Sequence, residues 1–171
     1  MTLTRNILFL VTGLALAACT NPNRFGADGS LSGTGTGAGG FVAGSASDPT
    51  SAAYFQQAVG DRVLFAVDQS TLTPEGQATL DGQATWLMAN ADFTAVIEGH
   101  ADEQGTREYN LALGARRANT AREYLISRGV AGTRLRTISY GKERPIEICS
   151  DEACYSKNRR AVTVLAGGLT S

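Results

Sequence analysis

The chain has 171 residues and a formal net charge of −1 at pH 7, with Lys and Arg nearly balanced by Asp and Glu. Because there is no basic excess, nucleic acid is not a predicted partner. The length favours one domain with room for an additional tail, and a hydrophobic content of 43% supports a globular core.

Residues 1–18 have the features of an export signal. Arg5 gives a positive n-region, and the apolar run after it is too short to be a comfortable membrane span. The run ends in small residues directly before Cys19, which resembles a bacterial lipobox. This resemblance implies that Cys19 carries several acyl chains, which anchor a protein firmly, and Thr20 after it favours the outer membrane. An ordinary signal peptide with an incidental cysteine is the alternative.

Residues 19–50 are predicted to form a flexible tether. Its centre, at 29–40, is a Gly-, Ser- and Thr-rich tract that cannot bury enough apolar surface to order itself. A flexible chain of about 30 residues spans roughly 30 Å. The tether therefore separates a membrane anchor from a folded domain, which we expect at 51–171.

The first half of that domain predicts a strand, a helix and a second strand. Apolar and β-branched residues dominate the runs at 62–67 and 93–98, which is typical of strands. Between them, Thr73 and Pro74 suit the N-cap and first position of a helix. We expect this helix to bury Leu80, Ala84, Leu87 and Met88.

The second half opens with a longer helix at 107–128 that Gly129 ends. The expected apolar face of this helix comprises Leu111, Ala115, Ala118, Arg122 and Leu125. The remaining predicted elements are a strand at 135–140, a short helix at 151–157 capped by Ser150, and a last strand at 160–165. Alternating strands and helices predict an α/β sandwich with helices packed on one four-stranded sheet. The sheet is expected to be mixed, because no long helix precedes the last strand.

Cys149 and Cys154 remain after the cysteine of the export signal. An exported chain reaches an oxidising compartment, where a disulfide is the default for such a pair. It would close a small loop and stabilise the fold by about 2 kcal/mol. Two free thiols, or a metal pair with too few further ligands, are the alternatives.

Four polar and apolar residues converge where a loop rich in Gly, Asp and Glu runs into the long helix. Asp102 lies on the loop, and Asn110, Leu113 and Arg117 follow at spacings that place them on one helical face. An acid, an amide, an apolar contact and a guanidinium suit a small zwitterion, with its ammonium at Asp102 and its carboxylate at Arg117. This pattern predicts binding and not catalysis.

Several spaced motifs, in order along the chain, resemble the OmpA C-terminal-like family of peptidoglycan-binding domains. These motifs are Phe65 to Asp68, Gly99 to Asp102, Gly105, Tyr109 and Asn110, Leu113, Arg116 to Ala118, Ser139 to Pro145, and Asn158 to Val162. The resemblance implies non-covalent binding of the peptidoglycan stem peptide that bears meso-diaminopimelate, with no cofactor, metal or catalytic residue. With the lipobox and tether, it implies a lipoprotein that ties the outer membrane to the wall. TolB and other components of the Tol–Pal system, which serves envelope integrity and cell division, are the implied protein partners.

The family's binding residues carry over onto matching positions. Asp102 and Arg117 would be the main polar anchors, Asp68, Thr106 and Leu113 would line the pocket, and Asn110 would support the loop. Gln104 and Val67 depart from the family, in which a basic and an aromatic residue are common. Arg159 and Arg160 are predicted to be structural and to help hold the binding loop.

The same residues leave other functions open. Glu98, His100 and Asp102 alternate and would share one face of a strand, which could suggest a metal, although a lone histidine is more often a hydrogen-bonded structural residue. A cell-wall hydrolase using two carboxylates among Glu98, Asp102 and Glu103 is the main alternative function. A lipoprotein that binds only protein partners is a third. No nucleophile motif supports the hydrolase.

Overall fold

The computed structural model describes residues 43–148 and 150–167, which belong to the unit Gly39–Ser171. The export signal, Cys19, Cys149 and all of the tether before residue 43 lie outside the described residues. In the described part, no helix is both long and apolar enough to cross a membrane. The elements are α1 (Ala52–Tyr54) with a π-helical turn (Phe55–Gly60), β1 (Arg62–Leu64), α2 (Pro74–Ala89), β2 (Phe93–His100), α3 (Arg107–Ser127), a 3₁₀ turn (Gly132–Arg134), β3 (Leu135–Gly141), α4 (Glu152–Asn158) and β4 (Arg160–Gly167).

The strands form one mixed sheet in the order β1-β4-β2-β3. Strands β2 and β3 are parallel because α3 crosses between them, whereas β4 runs antiparallel to both β1 and β2. In this order β4, the last strand of the chain, lies between β1 and β2, and Ile97 of β2 is paired with Thr163 of β4. This arrangement confirms the predicted fold class and the predicted mixed sheet.

Helices α2 and α3 cover one face of the sheet and enclose the core. Ala95 and Ile97 of β2 alternate toward that face, and Leu80, Leu87 and Leu125 of the two helices are fully buried against it. Two predictions about the helix faces are wrong, since Met88 and Leu111 are each 49% exposed.

The buried face of α3 is rotated from the predicted one because it includes polar and small residues. Those buried residues are Asn110, Leu113, Gly114, Arg117, Ala118, Ala121 and Leu125. Ala115 and Arg122, expected on the buried face, are only partly buried. Because Asn110 and Arg117 are buried, the N-terminal half of α3 presents these polar side chains to the loops beside the sheet.

Side-chain caps begin the helices. Thr73 accepts a hydrogen bond from the Gly76 amide, as predicted for an N-cap. The cap of α4 is Asp151 and not Ser150, because the Asp151 backbone is extended and its carboxylate accepts from the Cys154 amide at 3.0 Å. Hydrogen-bonded structure also begins before Ser51, since the Trp86 indole donates to the Pro49 carbonyl at 2.7 Å.

A glycine contact brings α3 directly onto β2. A Cβ at Gly99 would lie 1.8 Å from the Gly114 carbonyl oxygen of α3, a distance at which no side chain fits. Gly99 therefore serves the packing of helix on strand. This contact places the start of α3 beside the carboxyl end of β2, where the candidate site lies.

Candidate functional site

A pocket of about 230 Å³ lies between the loop after β1, the loop after β2 and the first turns of α3. The two loops contribute both of its acidic side chains, Asp68 and Asp102, and α3 contributes an aromatic, an amide and an apolar side chain. Its lining comprises Val67, Asp68, Asp102, Gln104, Gly105, Tyr109, Asn110 and Leu113. The structure thus brings together four of the six predicted ligand-binding residues, namely Asp68, Asp102, Asn110 and Leu113.

Asp102 is held in place although it lines the pocket. Its residue is 7% exposed, and its Oδ2 accepts a hydrogen bond from Nη1 of Arg159 at 3.1 Å. Its Oδ1 accepts from the Gln104 amide at 3.3 Å. The guanidinium that pairs with Asp102 is therefore that of Arg159, which lies between α4 and the last strand. The sequence predicted only a structural role for this arginine.

Arg117 lies behind the pocket and is fully buried. Its Nε donates to the Gln69 carbonyl at 2.8 Å and its Nη1 to the His100 carbonyl at 2.8 Å. Its Nη2 donates to the Ala66 carbonyl at 3.2 Å. Burial lowers the pKa of Arg117 to about 10, against an opposing contribution from the Asp102 charge. In the described residues this side chain joins the two loops of the site and does not line the cavity.

Asp68 has a backbone conformation that is rare outside glycine. Its φ is +57°, in the left-handed region, which an Asp tolerates better than most residues. The Tyr109 hydroxyl donates to its Oδ1, and this hydrogen bond raises the pKa of Tyr109. Tyr109 is 44% exposed and forms one wall of the pocket. It is not among the ligand-binding residues predicted from the sequence. The sequence feature that points to Tyr109 is an aromatic residue in the first turn of a predicted helix.

Buried amides and a lysine fix the loop between β2 and α3. The Asn110 amide donates to the Gln104 carbonyl at 2.6 Å, which agrees with its predicted support of the loop. Lys142 donates to the Gly105 carbonyl at 2.7 Å, and Asn158 donates to the Glu103 carboxylate at 2.8 Å. Thr106 caps α3 at the loop's end, and the structure does not place it in the pocket lining.

The arrangement of Glu98, His100 and Asp102 does not form a metal site. The described residues contain no cluster of three or more potential metal ligands. His100 Nε2 lies 3.6 Å from Oε2 of Glu98, whereas Asp102 lies beyond the end of β2 and pairs with Arg159, so the three side chains do not converge. His100 is 1% exposed, and neither of its ring nitrogens has a hydrogen-bond partner, whereas the sequence suggested a hydrogen-bonded histidine.

A larger cavity, of about 620 Å³, lies at the opposite end of β2. Asp48 lines it, but this carboxylate already accepts hydrogen bonds from Gly44 and Thr50 of its own loop. The smaller pocket is the better candidate because its carboxylates converge on one space beside the start of α3. A helix start also favours bound anions. Such a site can hold a zwitterion.

The chain matches known proteins over almost its whole length. The model of the OmpA family matches residues 64–159. A peptidoglycan-associated lipoprotein of Rhizobium meliloti is 52% identical over 168 residues, which are 97% of this chain and 91% of that protein. The crystal structure of the peptidoglycan-associated lipoprotein from Burkholderia pseudomallei has a TM-score of 0.64 and 35% identity, covering 70% of this chain and 100% of that one.

A more distant structure shares the fold alone. The C-terminal domain of Helicobacter pylori MotB is 20% identical, with a TM-score of 0.59, over 63% of this chain and 85% of that one. The family match and the near full-length identity to lipoproteins agree with the order of motifs read from the sequence. The chain therefore belongs to the OmpA family and, within it, to the peptidoglycan-associated lipoproteins.

Proposed function

We propose that this chain binds the free diaminopimelate end of the peptidoglycan stem peptide, without covalent bonds, in the pocket beside α3. The observation that carries the proposal is the oriented carboxylate of Asp102, which lines the pocket next to Asp68. Similarity to peptidoglycan-associated lipoproteins supports the ligand class. Membership of the OmpA family also confirms the prediction that the chain is not an enzyme, so the hydrolase alternative is dropped.

Each part of the ligand has a proposed place. The ammonium of diaminopimelate lies between Asp102 and Asp68, and its methylene chain packs against Leu113. Its carboxylate binds backbone amides at the start of α3, where Thr106 caps the helix and the helix dipole favours an anion. Arg117 lies behind the pocket and contributes its positive charge there. Three of its five N–H groups donate to backbone carbonyls, which keeps that charge close to the pocket.

The gain in affinity comes from preorganisation. An exposed ion pair is worth only about 0–1 kcal/mol, since water screens it and two side chains must be ordered. Asp102 is already buried and oriented by Arg159, and Asn110 holds the loop, so little ordering remains when a ligand binds. The pocket thus favours a ligand whose ammonium and carboxylate are fixed on one carbon.

The wider role follows from the similarity to lipoproteins. We propose that Cys19 is lipidated, that the anchor lies in the outer membrane with the domain in the periplasm, and that the chain ties this membrane to the wall. TolB and other components of the Tol–Pal system are the proposed partners. A Cys149–Cys154 disulfide stays a prediction, which mass spectrometry with and without reductant tests.

Sedimentation with purified sacculi tests the proposed function. The parent domain should pellet with the sacculi and release no soluble muropeptides. Asp102→Asn should stay largely in the supernatant, because the amide loses the charge that attracts the ammonium. Glu75→Gln, which removes an exposed carboxylate from the first turn of α2, away from the pocket lining, is the matched control. Retention of a folded Asp102→Asn variant at the parent's level would refute the assignment.

A further inference from the structure

One guanidinium is shared between the pocket and the short helix α4. Arg159 donates from Nη1 to Oδ2 of Asp102 at 3.1 Å and to Oε2 of Glu152 at 3.3 Å. Its Nη2 donates to Oε1 of Glu152. The Arg159 side chain is 5% exposed, that of Asp102 10% and that of Glu152 63%. A buried arginine thus joins a buried carboxylate of the pocket to an exposed carboxylate outside it.

The two carboxylates receive unequal shares of the guanidinium. Both terminal nitrogens of Arg159 contact Glu152, which is the strong two-pronged geometry, whereas Asp102 receives one contact from the shared Nη1. The Nε donates to the carbonyl of Phe65, the residue after β1, at 3.2 Å, and this third contact fixes the plane of the guanidinium. Glu152 therefore competes with Asp102 for the donors of Arg159.

We propose that Glu152 and Arg159 are positioning residues that keep the Asp102 carboxylate oriented toward the pocket and only partly neutralised, so that it stays available to a ligand ammonium. This inference rests on the proposed function, because it assumes that Asp102 binds the ammonium. Neither residue touches the ligand. Glu152 acts through Arg159, and Arg159 acts through its single contact with Asp102.

Removing the charge of Glu152 changes this balance in a predictable direction. Without an anionic partner, the terminal nitrogens of Arg159 are attracted to Asp102 as the nearest carboxylate left in contact with them. The Asp102 oxygens are then drawn toward the guanidinium, and a ligand ammonium has to compete with it. Residues in one ion-pair network couple strongly enough to expect about a three- to tenfold rise in the dissociation constant.

Calorimetry of the full chain with two synthetic peptides tests the inference. The first probe is L-Ala-γ-D-Glu-meso-diaminopimelate, and the second is the same tripeptide without the free side-chain amine. Glu152→Gln should raise the dissociation constant of the first probe and leave that of the second unchanged. A merely structural role would weaken both probes. The matched control is Glu147→Gln, which removes an equal charge from a carboxylate that pairs with Lys157 instead of Arg159.

The outcomes separate this inference from the proposed function. The inference is overturned if Glu152→Gln binds the first probe with unchanged affinity, or if its affinity changes as much as that of Glu147→Gln. The proposed function still holds in that case if Asp102→Asn binds the first probe more weakly than the parent. Equal weakening of both probes also overturns it. If Asp102→Asn itself binds the first probe like the parent, the proposed function fails and the inference fails with it. Melting curves of both glutamine variants should match the parent, because ion pairs of exposed carboxylates such as Glu152 and Glu147 contribute little to stability.

Discussion

Acidification should destabilise this fold through the buried imidazole of His100. Burial, together with the charges of Arg160 and Arg144, lowers the pKa of His100 from 6.5 to about 4. The unfolded chain therefore binds a proton near pH 6.5 that the folded chain does not accept until about pH 4. Stability from this group is fully present above pH 6.5 and is lost as the pH falls between these values.

The size of the effect follows from the two pKa values. At pH 5 the folded imidazole is still mostly neutral, while the unfolded one is about 1.5 pH units below its pKa and charged. Each unit corresponds to about 1.4 kcal/mol, so the free energy of unfolding should fall by about 2 kcal/mol between pH 7.5 and pH 5. The full difference, of about 3.5 kcal/mol, is reached only below pH 4, where carboxylates also titrate.

Urea denaturation at pH 7.5, 6 and 5 measures this loss. The control is His100→Gln, which keeps a polar side chain at the site but has no titrating group. It should be less stable than the parent at pH 7.5 and should show little change down to pH 5. If parent and variant lose the same free energy over this range, the imidazole is not the source of the acid sensitivity.

Two further substitutions test the construction of the site. Gly99→Ala should lower the free energy of unfolding by about 3 kcal/mol or more, because the added methyl meets the Gly114 carbonyl of a packed helix. Chemical denaturation measures this loss. A loss of less than about 1 kcal/mol would contradict the close packing of α3 on β2. Thr106→Ala should cost about 1 kcal/mol, because the hydroxyl accepts from the Tyr109 amide at 3.2 Å. Thr106→Ser, which keeps that acceptor, should restore most of the loss, and an equal loss in both variants would exclude a capping role.

The fold could be predicted from the sequence because the patterns that specify its strands and helices are local. Apolar runs predicted the strands, Thr73 and Pro74 predicted the start of α2, and the missing long helix before the last strand predicted a mixed sheet. The face of α3 was less accessible. An apolar pattern favours Leu111 as a core residue, whereas the buried face of α3 includes Asn110 and Arg117, and Leu111 is 49% exposed.

The partners within the site are not local, which is why sequence spacing did not identify them. Asp102 and Arg117 are close in sequence and on matching motifs, but the guanidinium that contacts Asp102 belongs to Arg159, 57 residues further along the chain. The carbonyls of Ala66 and Gln69, which Arg117 holds, are 51 and 48 residues away from it. Backbone acceptors carry no signature in a sequence, so a buried arginine that binds them looks like one free to bind a ligand.

The central claim is that the pocket beside α3 binds a diaminopimelate end through Asp102. Its most direct test is an NMR titration of the ¹⁵N-labelled domain with L-Ala-γ-D-Glu-meso-diaminopimelate. The account predicts saturable shifts of the Gln104, Gly105 and Tyr109 amides, and their loss in a folded Asp102→Asn variant. Absence of shifts in these amides, or equal titration of the parent and the variant, would contradict it.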